Sequence, residues 1–138
     1  MKILSIGVIL VFCMTYLAEG VMKPEVVSLV RIIANPELYD GKQVVTQGYL
    51  DRRFEESYLY VGKEDWANGI YLNALWVVES ENFVGSFGGY RFVTGVFRAG
   101  RPPHVRSLSG ILEVSRAREI PTEDRQKTAA QESEEGSK

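Results

Sequence analysis

The chain of 138 residues carries 16 basic residues against 18 acidic ones, with a single cysteine and a single histidine. Charges so closely balanced produce no strong field that would steer a polyanion to the protein. One cysteine, Cys13, and one histidine, His104, exclude a disulfide within the chain and a metal site built from two histidines.

The first part of the chain, residues 1–20, has the pattern of a secretory signal peptide. Lys2 supplies the positive start, residues 3–17 form an uncharged apolar run, and Ala18-Glu19-Gly20 offers the small residues of a cleavage site. We expect cleavage after Gly20 and export to the bacterial periplasm or beyond the cell. No asparagine lies in an Asn-x-Ser/Thr glycosylation site, which agrees with a bacterial source.

Two other fates of this segment stay open. Residues 3–18 could remain as a membrane anchor, although a helix that crosses a bilayer needs about 20 apolar residues. A lipid on Cys13 is disfavoured, because Phe12 stands where bacterial lipoprotein signals have a small residue.

Residues 21–118 are predicted to form one small domain that begins with a short helix. Pro24 suits the first helical turn, and an apolar stripe recurs at helical spacing: Val26, Leu29, Val30 and Ile33. Pro36 ends this helix, because proline disfavours helical geometry in the residue before it. One further turn over residues 36–39 and a tight turn at Asp40-Gly41 follow.

Five runs rich in β-forming residues are then predicted as strands: Gln43–Arg53, Ser57–Val61, Ala74–Val78 (with Ile70–Leu72 as the less favoured choice), Tyr90–Arg98 and Val105–Ser115. Lys63–Ala67 predicts a short helical turn. Glu79–Gly89, which contains Ser, Asn and three glycines, predicts a loop. Residues 119–138 hold one large aliphatic residue and no aromatic residue, and they predict a disordered acidic tail.

Gly48, Gly95 and Gly110 each interrupt a predicted strand. A glycine inside a strand usually marks a bulge or a sharp bend, and small closed barrels need such bends. The sequence therefore predicts a mainly β fold, a five-stranded barrel with an N-terminal helix. The alternative is an open antiparallel sheet with one helix packed on it.

Several short motifs carry a resemblance. The pattern Gly41-Lys42-x-Val44-x-x-x-Gly48-x-Leu50 is similar to the first strand of many OB-fold domains. A wider set resembles a group of small exported bacterial proteins of uncharacterised function: Asn35–Lys42, Leu59-Tyr60, Asn73–Trp76 and Leu108–Leu112. The resemblance covers residues 27–114, implies an OB-like barrel and export, and brings no catalytic residues.

The residues do not form a recognisable catalytic set. His104 could serve a catalytic serine only if Ser107 or Ser109 lay on a nucleophile elbow, the sharp turn that exposes such a serine. Both serines lie instead in an ordinary strand pattern. The acidic pairs Glu55-Glu56 and Glu64-Asp65 lie in connections, where solvated charge is the usual role. The glycines near residue 88 lack the lysine and the helix of a phosphate-binding loop. We therefore expect no enzyme, cofactor or metal, and a hydrolase of envelope polymers is the weakest hypothesis.

Six residues are candidates for ligand binding: Tyr58, Tyr60 and Trp76 for stacking, and Arg98, Arg101 and Arg106 for an anionic group. The favoured hypothesis is a non-catalytic exported binding module whose partner is an envelope protein, a peptide, a glycan or a small anionic ligand. Single-stranded nucleic acid is the alternative, because OB-folds often bind it. The charge balance lacks the basic footprint of such a binder. The aromatic residues could equally be cross-strand pairs, and the arginines a charged sheet edge.

Overall fold

The computed structural model describes residues 23–100 and 108–121. The fold is mainly β, as the sequence predicts. In chain order the elements are strand β1 (Glu25–Val26), helices α1 (Leu29–Ala34) and α2 (Pro36–Tyr39), strands β2 (Gln43–Arg53) and β3 (Glu56–Tyr60), helix α3 (Lys63–Asn68), a 3-10 turn (Tyr71–Asn73), and strands β4 (Ala74–Gly85), β5 (Gly89–Ala99) and β6 (Gly110–Glu119). The expected signal peptide, Arg101, His104, Arg106 and the tail beyond residue 121 lie outside the described residues.

The longer strands pair in a ring. β2 is antiparallel to β3, β3 is antiparallel to β4, β4 is parallel to β6, β6 is antiparallel to β5, and β5 pairs back onto β2. The short β1 adds in parallel to the start of β2. Each strand of the ring therefore has a hydrogen-bonded neighbour on both sides.

The main core lies on the inner face of this ring. Alternate residues of β2 are buried because successive side chains of a strand point to opposite faces. The inner residues that are fully buried are Val44, Leu50, Leu59, Leu75, Val93, Phe97, Leu112 and Val114. The helices contribute Leu29, Ile32 and Tyr39 to the same cluster. Burial of this set supplies the main stabilisation of the fold.

Helix α1 begins later than the sequence pattern predicts. Ser28 caps it, accepting a hydrogen bond from the Arg31 N–H at 3.3 Å. The residues before Ser28 are extended, because the start of β2 offers free backbone groups. The Val27 N–H donates to the Val45 carbonyl at 3.0 Å. The predicted start at Pro24 was wrong.

The predicted apolar stripe of this helix was also partly wrong. Leu29 and Ile32 enter the core, whereas Val26 is 84% exposed and Val30 is 56% exposed. Val26 points outward because it belongs to β1 and not to the helix.

The loop predicted over Glu79–Gly89 was wrong as well, since β4 continues to Gly85. Its composition indicated a loop, but parallel pairing with β6 holds it extended, first at Glu79 opposite Val114 and again at Val84 opposite Arg116. β6 likewise runs to Glu119, past the predicted end of the strand at Ser115.

The strand glycines serve two purposes. Gly95 lies at a shift of register between β5 and β6, so the predicted bulge is confirmed there. At Gly48 the reason is close approach, because a Cβ would lie 2.5 Å from the Tyr60 carbonyl oxygen. Gly110 is likewise crowded, by the ring of Phe97.

Candidate functional site

The outer surface of β2, β3 and β4 carries a second apolar cluster, which we call the aromatic face. It consists of Tyr49, Tyr58, Tyr60, Trp66, Tyr71 and Trp76, together with Ala74 and Leu108. Because strand side chains alternate, Tyr49 and Asp51 point outward on either side of the core residue Leu50. Tyr49 then lies opposite Tyr60, and Asp51 lies opposite Tyr58.

The strand register brings three of the predicted site residues into one row. Tyr58 pairs with Trp76, Trp76 with Ile111, and Ile111 with Arg98. Adjacent strands are about 4.8 Å apart, so Arg98 lies about 10 Å across the sheet from Trp76. Tyr60 occupies the neighbouring row, between Tyr49 and Ala74. Four candidate residues are therefore on one surface.

The chain between β3 and β4, residues 61–73, folds over part of this surface, and we call it the covering segment. Its Trp66 ring lies 5.0 Å from the ring of Tyr49, and the indole N–H donates to Asp51 Oδ2 at 2.7 Å. Its Tyr71 ring lies 5.2 Å from that of Tyr58 and 6.1 Å from that of Tyr60. Tyr58 is consequently only 5% exposed, and Tyr60 only 1%.

One carboxylate fixes the shape of the covering segment. Asp65 Oδ2 accepts from the Gly62 N–H at 3.1 Å, and Asp65 Oδ1 accepts from the Asn73 side chain at 2.8 Å. Helix α3 ends at Asn68 and is capped by Gly69, whose φ of 65° is the left-handed conformation that glycine adopts easily. The two ends of the segment are thus held to the same side chain.

An arginine from β2 holds the middle of the segment. Arg53 Nη2 donates to the Trp66 carbonyl at 3.3 Å, and its guanidinium lies 5.0 Å from the centre of the indole ring. The role of Asp51, Arg53, Asp65 and Trp66 was not predicted from the sequence. The alternation of β2 predicts that Tyr49 and Asp51 point outward, and an outward aromatic ring is the sequence feature that could have indicated a segment packed over this surface.

Burial affects the acidity of the two covered phenols. Burial raises the pKa of Tyr60 from 10.0 to about 12. Burial also raises the pKa of Tyr58, and its hydrogen bond to Glu56, in which the hydroxyl donates to Oε2 at 2.6 Å, acts in the same direction. Both phenols therefore remain neutral hydrogen-bond donors at ordinary pH.

The part of this surface beyond the covering segment is open. Trp76 and Ile111 are half-buried, and Val78, two residues farther along β4, is 40% exposed. Arg98 is exposed, and within residues 23–100 and 108–121 no carboxylate lies in ion-pair distance of it. The open edge therefore carries apolar side chains on β4 and β6, and the Arg98 guanidinium, which has no ion pair among the described residues, lies beyond them on β5.

Two of the acids that the sequence places in adjacent pairs, Glu56 and Asp65, have hydrogen-bond partners in this part of the fold. Glu56 accepts from Tyr58, and Asp65 serves the covering segment. In the described part of the chain no three His, Cys, Asp or Glu residues come together as a metal site would require. None of the helices in residues 23–100 and 108–121 has the length and apolarity that a bilayer crossing requires.

No protein-family model matches the chain, and a search of curated proteins finds no significant match. The function is therefore inferred from the arrangement of these residues.

Proposed function

We propose that the protein is a non-catalytic binding module of the bacterial periplasm, built on a five-stranded OB-like barrel. The ring of pairings through β2, β3, β4, β6 and β5 supports the barrel, because the OB-fold is a five-stranded, partly open Greek-key barrel. The sequence pattern of residues 1–20 supports export.

The observation that carries the proposal is the open edge of the aromatic face. Trp76 and Ile111 form a half-buried apolar strip in register with Arg98. The face of a sheet that is turned to water normally carries polar side chains. Trp76 and Arg98 are two strands apart, and the Arg98 guanidinium lies on the side of β5 that faces Gly41, so they fit a ligand long enough to join an apolar or planar part at Trp76 to an anionic group at Arg98. A peptide with a carboxylate, or a small anionic ligand, has this chemistry.

Nucleic acid receives less support from the same geometry. Stacking of bases needs open aromatic rings and a basic groove. Tyr58 and Tyr60 are covered by Tyr71, and Arg52 and Arg53 are engaged with Glu79 and Asp51. No arrangement of described residues favours a hydrolase of envelope polymers.

Native mass spectrometry of the protein taken gently from its host's envelope fraction tests both parts of the proposal. We expect a mature mass that starts at Val21, together with a co-purifying peptide or small anionic molecule. A mass that retains Met1 would contradict cleavage after Gly20.

The identified ligand is then titrated against Trp76→Ala and Arg98→Ala. Loss of a charge-assisted hydrogen bond or of an aromatic anchor should weaken binding about tenfold or more in each variant. Arg31→Ala, a change at an exposed arginine on α1, is the matched control and should bind as the unmodified protein does. Equal affinities in all variants would rule out this surface.

A further inference from the structure

A polar pocket of about 300 Å³ lies on another part of the ring, where β4 bulges away from β6. Its lining residues come from four strands: Gln43, Asn82, Val84, Thr94, Ser115 and Arg116. The volume is at the lower end of the range for ligand pockets, about 300–1,000 Å³. The pocket therefore suits a small molecule.

The pocket results from a mismatch between two parallel strands. Glu79 pairs with Val114, and the next pair along the two strands is Val84 with Arg116. Between these two pairs β4 has four residues, whereas β6 has only one, Ser115. Extra residues on one strand bend it away from its partner, and such bulges are frequent beside active sites. Arg116 is also paired with Thr94, which sets its side chain on the outer surface.

This pocket is separate from the open edge of the aromatic face. Arg116 follows Ile111 by five residues on β6, which corresponds to about 16 Å along a strand. The inference consequently does not depend on the ligand proposed for Trp76 and Arg98.

The residues that line the pocket suit the binding of an anionic group such as a carboxylate or a phosphate. The described lining residues contribute a guanidinium, two amides and two hydroxyls, and none of them contributes a carboxylate. Ser115 Oγ–H donates to the Thr94 carbonyl at 3.2 Å. Among the described residues no carboxylate lies in ion-pair distance of Arg116, whose planar fork of N–H donors matches a carboxylate or phosphate in two parallel bonds.

We propose that this pocket binds a small polar ligand through a carboxylate or phosphate group, with Arg116 as its main anchor. Asn82 of β4 and Gln43 of β2, two strands that β6 and β5 separate in the ring, supply the amide groups that orient the remainder of the ligand. The single apolar contributor, Val84, leaves little surface for a hydrophobic ligand.

The test is a titration of the full mature chain, labelled for NMR, with inorganic phosphate and separately with acetate. We expect saturable shifts at residues 82, 94 and 116 with at least one probe, and the probe that works identifies the group as phosphate or carboxylate. Arg116→Ala should weaken this binding about tenfold or more, as the loss of a charged hydrogen-bond donor does. Arg116→Lys, which keeps the charge, should restore part of it.

The matched control is Arg118→Ala, at another exposed arginine two residues away on β6 that does not line the pocket. It should retain the affinity of the unmodified protein. Equal losses in Arg116→Ala and Arg118→Ala would show a general charge effect and overturn the proposal. The absence of saturable shifts with both probes would also overturn it. A spectrum of Arg116→Ala that overlays the parent outside the pocket excludes misfolding as the cause.

Discussion

At the scale of single residues, Tyr58 and Tyr60 show how environment decides the role of a side chain. Their alternation in β3 predicts that both rings point to the same face of the sheet, and the register of β3 with β2 places them on the outer surface. Tyr71 then packs against both rings, so that neither is open to solvent. A pair of tyrosines that the sequence suggests for stacking on a ligand instead stacks on the protein itself.

This burial predicts a loss of stability at alkaline pH. Both phenols have a folded-state pKa above the value of 10.0 expected when they are exposed. The unfolded chain therefore releases these protons first, and ionisation favours unfolding. Their contribution to stability should be fully present below pH 10 and should be lost as the pH rises through the folded-state value of Tyr60, about 12. Denaturant titrations on either side of pH 10 measure this.

Tyr60→Phe provides the control for that experiment, because it keeps the ring and removes the ionisable group. Its stability should fall less steeply above pH 10 than that of the unmodified protein. An identical slope would show that Tyr60 does not contribute to the alkaline loss.

At the scale of elements, the covering segment is the part that decides which surface remains free. It is held by Trp66 on Tyr49 and Asp51, by Tyr71 on the β3 tyrosines, and by Asp65 at both of its ends. Helix α3 has only six residues, too few to be stable alone, so these contacts maintain it.

Asp65→Ala should therefore loosen the whole segment. The change removes two hydrogen bonds and should lower the free energy of unfolding by about 1–3 kcal/mol. Hydrogen exchange should accelerate across residues 61–73. Glu64→Ala, one residue earlier and exposed, should stay within about 0.5 kcal/mol of the unmodified protein. Equal exchange rates in the two variants would show that Asp65 does not hold the segment.

At the scale of the whole molecule, the ring of strands and helix α1 come into close contact at Gly48. A Cβ at this position would lie 2.5 Å from the Tyr60 carbonyl oxygen and 3.0 Å from side-chain carbons of Leu29 and Leu59. The backbone of β2 can approach α1 and β3 together only because this residue lacks a side chain.

Gly48→Ala is accordingly expected to destabilise the fold by about 1–3 kcal/mol or more, the usual effect of overpacking a core. Urea unfolding measures the change. Gly62→Ala is the matched control, since the nearest atom to a Cβ there is the flexible Glu64 carboxylate at 3.4 Å. If both variants unfold at the same urea concentration, the close approach at Gly48 has no energetic consequence.

Local patterns in the sequence determined the mainly β class, the bounds of β2 at Gln43–Arg53 and the short helix that begins at Lys63. Such features depend on alternation, turn residues and glycine, which act over a few neighbouring positions. The start of α1 depends instead on a backbone partner farther along the chain, Val45, and the length of β4 depends on its pairing with β6.

The candidate site divides in the same way. The sequence by itself determined that Tyr58, Tyr60, Trp76 and Arg98 are aromatic and cationic residues of predicted strands. Only the tertiary structure decided that Trp76, Ile111 and Arg98 share a row, that Tyr71 covers the two tyrosines, and that Arg116 lines a pocket. The reason is physical: which side chains meet across a sheet is set by strand order and register, and both are fixed by packing of the entire core.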